Sequence, residues 1–137
     1  MILVDTNVWS ELVRATPAPQ VVAWEQSNAH LLWLSSVVVG EFLSGVELMP
    51  EGRRKRVMRE TYDDVIQTYA DRIAPFGLAA ALRYSDVLAR QERAGRAPGT
   101  ADTQIAATAL SLGMSLATRN VAHFEGLDLR LIDPWTA

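Results

Sequence analysis

Residues 1–7, MILVDTN, decide how this chain reads. Ile2, Leu3 and Val4 are consecutive β-formers, apolar on both sides, which is the pattern of a parallel strand covered on both faces. They run directly into Asp5, then into two small polar residues, Thr6 and Asn7, and then into a helix-like segment. A buried strand that ends in a carboxylate is not a packing solution. It delivers a charged group to the edge of a sheet, and the rest of the chain has to be searched for what meets it.

Outward from that strand, Asn7 to Arg14 forms about two helical turns before Pro17 and Pro19 stop them. A second helical stretch runs from about Gln20 to Ser27, and Leu31 to Leu34 (LLWL) reads as a second strand. Ser35 or Ser36 caps the following helix, VVVGEFLSGVELM, which continues toward Pro50. The basic segment RRKRVMRE then opens a helix to about Ala70, and Arg72 to Phe76 is a short third strand. Leu78 to Arg93 is a long helix and Arg93 to Gly99 a loop. Thr100 caps the helix Ala101 to Leu112, Gly113 ends it, Ser115 to Thr118 is a strand, and Leu129 to Ile132 is a last edge strand. Strands alternating with helices predict a three-layer α/β/α fold with a central, mainly parallel sheet and right-handed crossovers. In such sheets ligands bind beyond the carboxyl ends of the strands, where strand order reverses, and Asp5 falls at such an end.

A length of 137 residues suits one domain, spanning 1–137. With 49% hydrophobic and 21% charged residues the composition is that of a soluble globular protein. No apolar run approaches the roughly 18 residues of a membrane span, and the N-terminus lacks a basic region and a cleavage site, so a cytoplasmic protein without membrane attachment is expected. There are no cysteines and only two histidines, His30 and His123, so any metal must be held mainly by oxygen. The net charge of −3 argues against a protein that coats nucleic acid, yet is compatible with a local basic patch beside an acidic pocket.

Two further acids stand out against the helical periodicity of about 100° per residue. Gly40, Ser44, Glu47 and Glu51 mark the polar side of the third helix, and Glu41 lies about a quarter turn away, above Val37, Val38, Gly45 and Leu48. On the last helix Gln104, Thr108 and Ser111 mark the outer face, while Asp102 falls among Ile105, Ala106, Ala109 and Gly113 on the inner one. Each acid also has an ordinary explanation: Asp102 complements the helix dipole, Glu41 reaches solvent from a helix flank, and Asp5 caps the helix that follows it. Together, inward carboxylates at one end of a sheet repel and lose hydration, so they bind protons or hold a cation. With oxygen ligands alone the cation is magnesium or manganese, and such a site suits phosphodiester hydrolysis. A bound metal reverses the local sign, which reconciles an acidic pocket with a polyanionic substrate.

MILVDTNVWSE at the start, SSVVVGEFLSGVE near residue 40, TADTQIAATAL near residue 105 and LATRNVAHFEGLDLRLIDPW at the end resemble a PIN-domain protein. The resemblance is specifically to the VapC-type toxins of bacterial toxin–antitoxin pairs, including FitB-like members, and it covers nearly the whole chain. It implies a magnesium- or manganese-dependent endoribonuclease that cuts RNA and is neutralised by a cognate antitoxin. In that family the antitoxin wraps the toxin and inserts a basic side chain into the acidic pocket, and homodimers are usual. By the resemblance Asp5, Glu41 and Asp102 match the three acids that coordinate the metal and position the attacking water, with Asp5 and Asp102 the principal ligands and Glu41 direct or through water. Thr6 and Asn7 match polar residues that fix the site by hydrogen bonds. Asn120 stands where the family often has aspartate; an amide brings no charge, so a second metal is left open.

Basic residues supply further candidates. Arg53, Arg54, Lys55, Arg56 and Arg59 form either a phosphate-binding run or a solvated face. Arg93 and Arg96, in the loop before the Asp102 helix, and Arg119, beside Asn120, are candidates for substrate contact. His123 reads as a surface or cap residue, and Trp9, Trp24, Trp33 and Trp135 as core or interface aromatics. The apolar early helices are the candidate dimer interface. Two other functions remain in play: a PIN-type nuclease with a housekeeping or DNA substrate, and a catalytically weak module that binds RNA or a partner. A haloacid-dehalogenase-like phosphoryl transferase is disfavoured, because it needs a second acid where this chain has Asn7.

Overall fold

The computed structural model describes all residues from Met1 to Ala137. Eleven regular elements follow the chain: β1 (Ile2–Val4), α1 (Thr6–Leu12), α2 (Pro19–Asn28), β2 (Leu32–Ser35), α3 (Ser36–Glu47), α4 (Arg53–Thr68), β3 (Ile73–Ala74), α5 (Leu78–Arg93), α6 (Thr100–Leu112), β4 (Ser115–Ala117) and β5 (Leu131–Ile132). Single 3-10 turns at Ala29–Leu31 and Val121–Phe124 complete it. The five strands form one sheet in the order β3-β2-β1-β4-β5, and every neighbouring pair is parallel. Helices flank the sheet in a three-layer α/β/α arrangement, as the alternating pattern predicts. No helix is long and apolar enough to cross a membrane.

All three β1 residues are buried, and Leu3, Val4, Leu32, Leu34, Leu116 and Ala117 are fully so. The chain lays down β1, β2 and β3 to one side and then returns to put β4 on the other side of β1. Strand order therefore reverses at β1, and a crevice opens at the carboxyl ends of β1 and β4.

The element boundaries differ from the sequence reading where a side chain competes for a backbone partner. Helix α1 starts at Thr6 rather than Asn7, because Asp5 leaves the strand and accepts from the Thr6 N–H (2.8 Å) as its cap. Pro19 does not stop a helix but opens α2 at its first turn, where a missing N–H costs nothing. Ser35, not Ser36, caps α3: its hydroxyl accepts from the Val37 N–H at 3.1 Å. The Ser36 hydroxyl instead accepts from the Phe76 N–H (3.1 Å), tying the end of β3 to α3. Gly99 rather than Thr100 is the cap residue of α6, with no side-chain cap bond. Gly113 takes the left-handed conformation (φ 65°) that ends α6, as expected.

Two face assignments need correction. Thr108 is buried, not outer, because α6 is covered nearly all round, with α5 packed along it. Its hydroxyl is satisfied within the helix by the Gln104 carbonyl at 2.7 Å. Glu41 is exposed: the buried stripe of α3 is Val38, Phe42 and Val46, so Glu41 stands on the rim of the crevice and Leu48 faces solvent. Among the large exposed apolar side chains, Leu78 (77% exposed) and Leu82 (71%) lie one turn apart on α5.

Because β1 is the central strand, its middle residue carries much of the packing. Leu3→Ala is expected to lower the unfolding free energy by about 2–5 kcal/mol in urea denaturation without changing the denaturant slope. A loss below about 1 kcal/mol would mean that β1 is not the packing centre.

Candidate active site

The crevice is built by register. Val4 pairs with Ala117, so the next residue on each strand, Asp5 and Thr118, come to lie side by side. The Asp5 N–H donates to the Ala117 carbonyl at 2.9 Å, one rung beyond the last paired residue. The Asp5 carboxylate is only 2% exposed and accepts from three neutral donors. Oδ1 accepts from the Thr6 N–H (2.8 Å), and Oδ2 accepts from the Thr118 hydroxyl (2.8 Å) and the Asn7 amide (3.2 Å).

These donors are themselves held. The Thr118 hydroxyl accepts from the Asn120 N–H at 3.1 Å, and the Asn7 side-chain oxygen accepts from the Arg119 N–H at 3.2 Å. Thr6 links two acids, since its N–H serves Asp5 while its hydroxyl donates to Glu41 Oε1 at 2.6 Å. Asp102, in the first turn of α6, is half-buried, and its carboxylate accepts no hydrogen bond. Asp5, Glu41, Asp102 and Asn120 line one cleft of about 420 Å³, and Thr6, Asn7 and Arg119 share its wall.

No arginine or lysine is paired with Asp5, Glu41 or Asp102. Burial, with the negative charges of Asp102 and Glu41 adding to it, raises the Asp5 carboxyl to about 6, against the pull of the Thr118 and Thr6 hydrogen bonds. Glu11, a further acid in the cleft, behaves oppositely. The Ala18 N–H (3.0 Å) and the Arg14 guanidinium (3.0 and 3.2 Å) hold it below the usual carboxylate range. Its charge is committed to the turn between α1 and α2.

The other candidates divide. Arg119 is exposed at the rim, its guanidinium 4.8 Å from the centre of the Trp135 ring. Arg93 is exposed at the end of α5 and does not reach the cleft. Arg96 is tied to Gln91 Oε1 and to the Glu125 carbonyl, both at 2.8 Å. It lines a separate hollow of about 280 Å³, with His123, that meets the cleft only at Asp102. Thr118 and Trp135 were not anticipated as site residues. Only the adjacency of β4 to β1 reveals Thr118, and no local pattern announces strand order.

No three acidic or imidazole side chains close around a single point as a cage for a metal. The donor set is nevertheless all oxygen, and one member, Asp5, is a buried carboxylate without a cationic partner. That combination fits a divalent ion that keeps several of its waters.

The raised Asp5 carboxyl has a consequence for stability. Its value in the folded protein, about 6, lies above the ordinary 3.8, so between them the native state retains a proton that the unfolded chain has lost. Stability is favoured below this range and is lost as pH rises through about 6. In urea titrations with divalent ions chelated, the Asp5→Asn variant should therefore gain on wild type by up to about 3 kcal/mol between about pH 4 and pH 7. A difference that does not change with pH would show that Asp5 ionises as an ordinary carboxylate.

With this geometry in place, comparison with known proteins defines the family. The PIN domain family matches residues 2–127. The chain is 39% identical over 137 residues to VapC ribonuclease Y4jK of Sinorhizobium fredii, covering 98% of each protein. It is 36% identical to toxin FitB of Neisseria gonorrhoeae, covering 98% of this chain and 99% of that one. Among solved structures, FitAcB from Neisseria gonorrhoeae superposes with a TM-score of 0.90 at 35% identity, over 100% of both chains. The crevice at the β1–β4 reversal is thus set in a fold and a sequence that agree from end to end, and the chain belongs to the PIN-domain family.

Proposed function

We propose that the protein is the toxin of a two-component toxin–antitoxin module, a magnesium- or manganese-dependent endoribonuclease acting in the cytoplasm on RNA and held inactive by a cognate antitoxin. The relatives named as a VapC ribonuclease and as toxin FitB support this reading. The observation that carries it is the buried Asp5 carboxylate, without a cationic partner, lining one cleft with Asp102 and Glu41. Burial disfavours the charge of such a group, and a nearby positive charge would offset that cost.

Asp5 and Asp102 would hold the ion, with Glu41 completing the set directly or through water. When bound, a divalent ion supplies Lewis acidity: it acidifies water and offsets phosphate charge. The chain's own residues do the positioning. Thr118, Asn7 and the Thr6 N–H fix the Asp5 carboxylate, while the Thr6 hydroxyl aims Glu41 across the cleft. Asp102, free of other bonds, keeps both oxygens available. Glu41, exposed at the rim, would accept a proton from attacking water, and Arg119 on Trp135 offers a cation at the rim for phosphate. Asn120 presents a carboxamide that makes no other hydrogen bond. In a homodimer, the exposed leucines of α5 would be the apolar surface to cover.

Purified protein should cleave structured RNA only with magnesium or manganese, and a chelator should abolish cleavage. Asp5→Asn and Asp102→Asn should lose more than the about 10–100-fold that Thr118→Val loses, because ligands matter more than the groups that orient them. Equal cleavage by wild type and both acid variants would refute the assignment. Asn120 in place of an acid favours a second reading, a catalytically weak binding module; antitoxin binding without cleavage of any RNA would establish that one. Preferential cleavage of DNA would instead indicate the other PIN-type nuclease function.

A further inference from the structure

The basic stretch that opens α4 is not one uniform surface. Lys55 donates to Glu51 Oε1 (2.7 Å) and to the Glu47 carbonyl (3.1 Å), and Arg59 donates to Glu47 Oε2 (2.9 Å). Those two charges are used in joining α4 to α3. Arg53 and Arg54 are exposed and have no acidic partner, and both line a groove of about 570 Å³ between α3 and α4. Glu51 on the same lip is already engaged by Lys55. Helix α4 does nothing to offset the arginines: its first turn contains no acid and Gly52 provides no cap, so the dipole adds to their positive charge.

The groove is continuous with the acidic cleft. Thr6, Ser10 and Glu41 form walls of both. Its apolar surface comes from half-buried Met49, Met58 and Tyr62, and Tyr62 is backed by the buried Phe42 ring, the two centroids 4.2 Å apart and the planes differing by 9°. Two unpaired guanidinium groups beside this surface, opening into the cleft, match the two halves of a nucleotide. Guanidinium binds phosphate through paired hydrogen bonds, and bases pack on apolar and aromatic surfaces with little sequence preference. A peptide would suit the apolar surface but would leave the arginines unmatched unless it were acidic.

We propose that this groove seats the RNA strand on one side of the cut, with Arg53 and Arg54 on backbone phosphates and Tyr62, with Met49 and Met58, under a base. The proposal rests on the nuclease reading. It gives the acidic protein a local basic track that leads the polyanion up to the carboxylates.

The test is kinetic and uses the full chain with magnesium on the end-labelled RNA hairpin that wild type cleaves fastest from a mixed pool. Arg53→Ala/Arg54→Ala should raise KM by about tenfold or more while kcat changes less than about threefold. It should also reduce the slope of log kcat/KM against log salt by about 1–2, one for each lost phosphate contact. Arg56→Ala, exposed on the same helix but outside the groove, should behave as wild type. A double variant indistinguishable from Arg56→Ala overturns the proposal. So does a double variant with wild-type RNA kinetics and weakened binding to the antitoxin, which would assign the groove to a protein partner. Wild type inactive on every hairpin overturns the nuclease reading itself, and this proposal with it.

Discussion

The parallel register between β1 and β4 is the constraint on which the site depends. Once Val4 is opposite Ala117, Asp5 and Thr118 must meet at the ends of their strands. The apolar residues that make β1 a central strand also remove Asp5 from water, so the same burial that stabilises the sheet disfavours the carboxylate charge. Three neutral donors reduce that penalty without removing it, and none of them supplies a positive charge. A charge demand is thereby built into the core of the fold, at the point where strand order reverses.

Around it, several charged groups are paired and others are not. Glu11 with Arg14, Lys55 with Glu51, Arg59 with Glu47, and Arg90 with Asp86 and Asp128 are satisfied within the structure. Asp5, Glu41, Asp102, Arg53, Arg54 and Arg119 have no partner of opposite charge. Those three acids line the cleft with Arg119 in its wall, and Arg53 and Arg54 line the groove that adjoins it. An overall charge of −3 conceals this separation, which is why net charge alone is a poor guide to whether the protein meets nucleic acid.

Much of the architecture was legible in the sequence because it rests on local signals. MILV before Asp5, the proline and glycine breaks, and the alternation of short strands with helices are sufficient for a parallel three-layer fold. Asp5 was marked by an acid after three apolar residues, and Asp102 by its place among alanines. Glu41 was singled out for the wrong reason: it is not turned inward, but stands exposed beside Thr6. Helical periodicity ranks faces only against an assumed core, and α3 buries a narrower stripe than the assumption allowed. Thr118, Trp135 and the division of the basic run depend on contacts between distant segments, for which no local pattern exists. Arg93 and Arg53 look equally available in the sequence, yet only Arg53 lines a groove that joins the cleft.

Asn120 shows how a single uncharged residue adjusts such a site. It follows Thr118 closely enough that its own N–H helps hold the hydroxyl that serves Asp5, so its position belongs to the support of the first acid. An aspartate at the same place would add a fourth uncompensated carboxylate and raise the cost of ionising Asp5 further. Against three carboxylates, one divalent ion would leave the cleft one charge negative and a second would leave it one charge positive. The amide thus keeps an acceptor oxygen at the rim while limiting the charge that the cleft must neutralise.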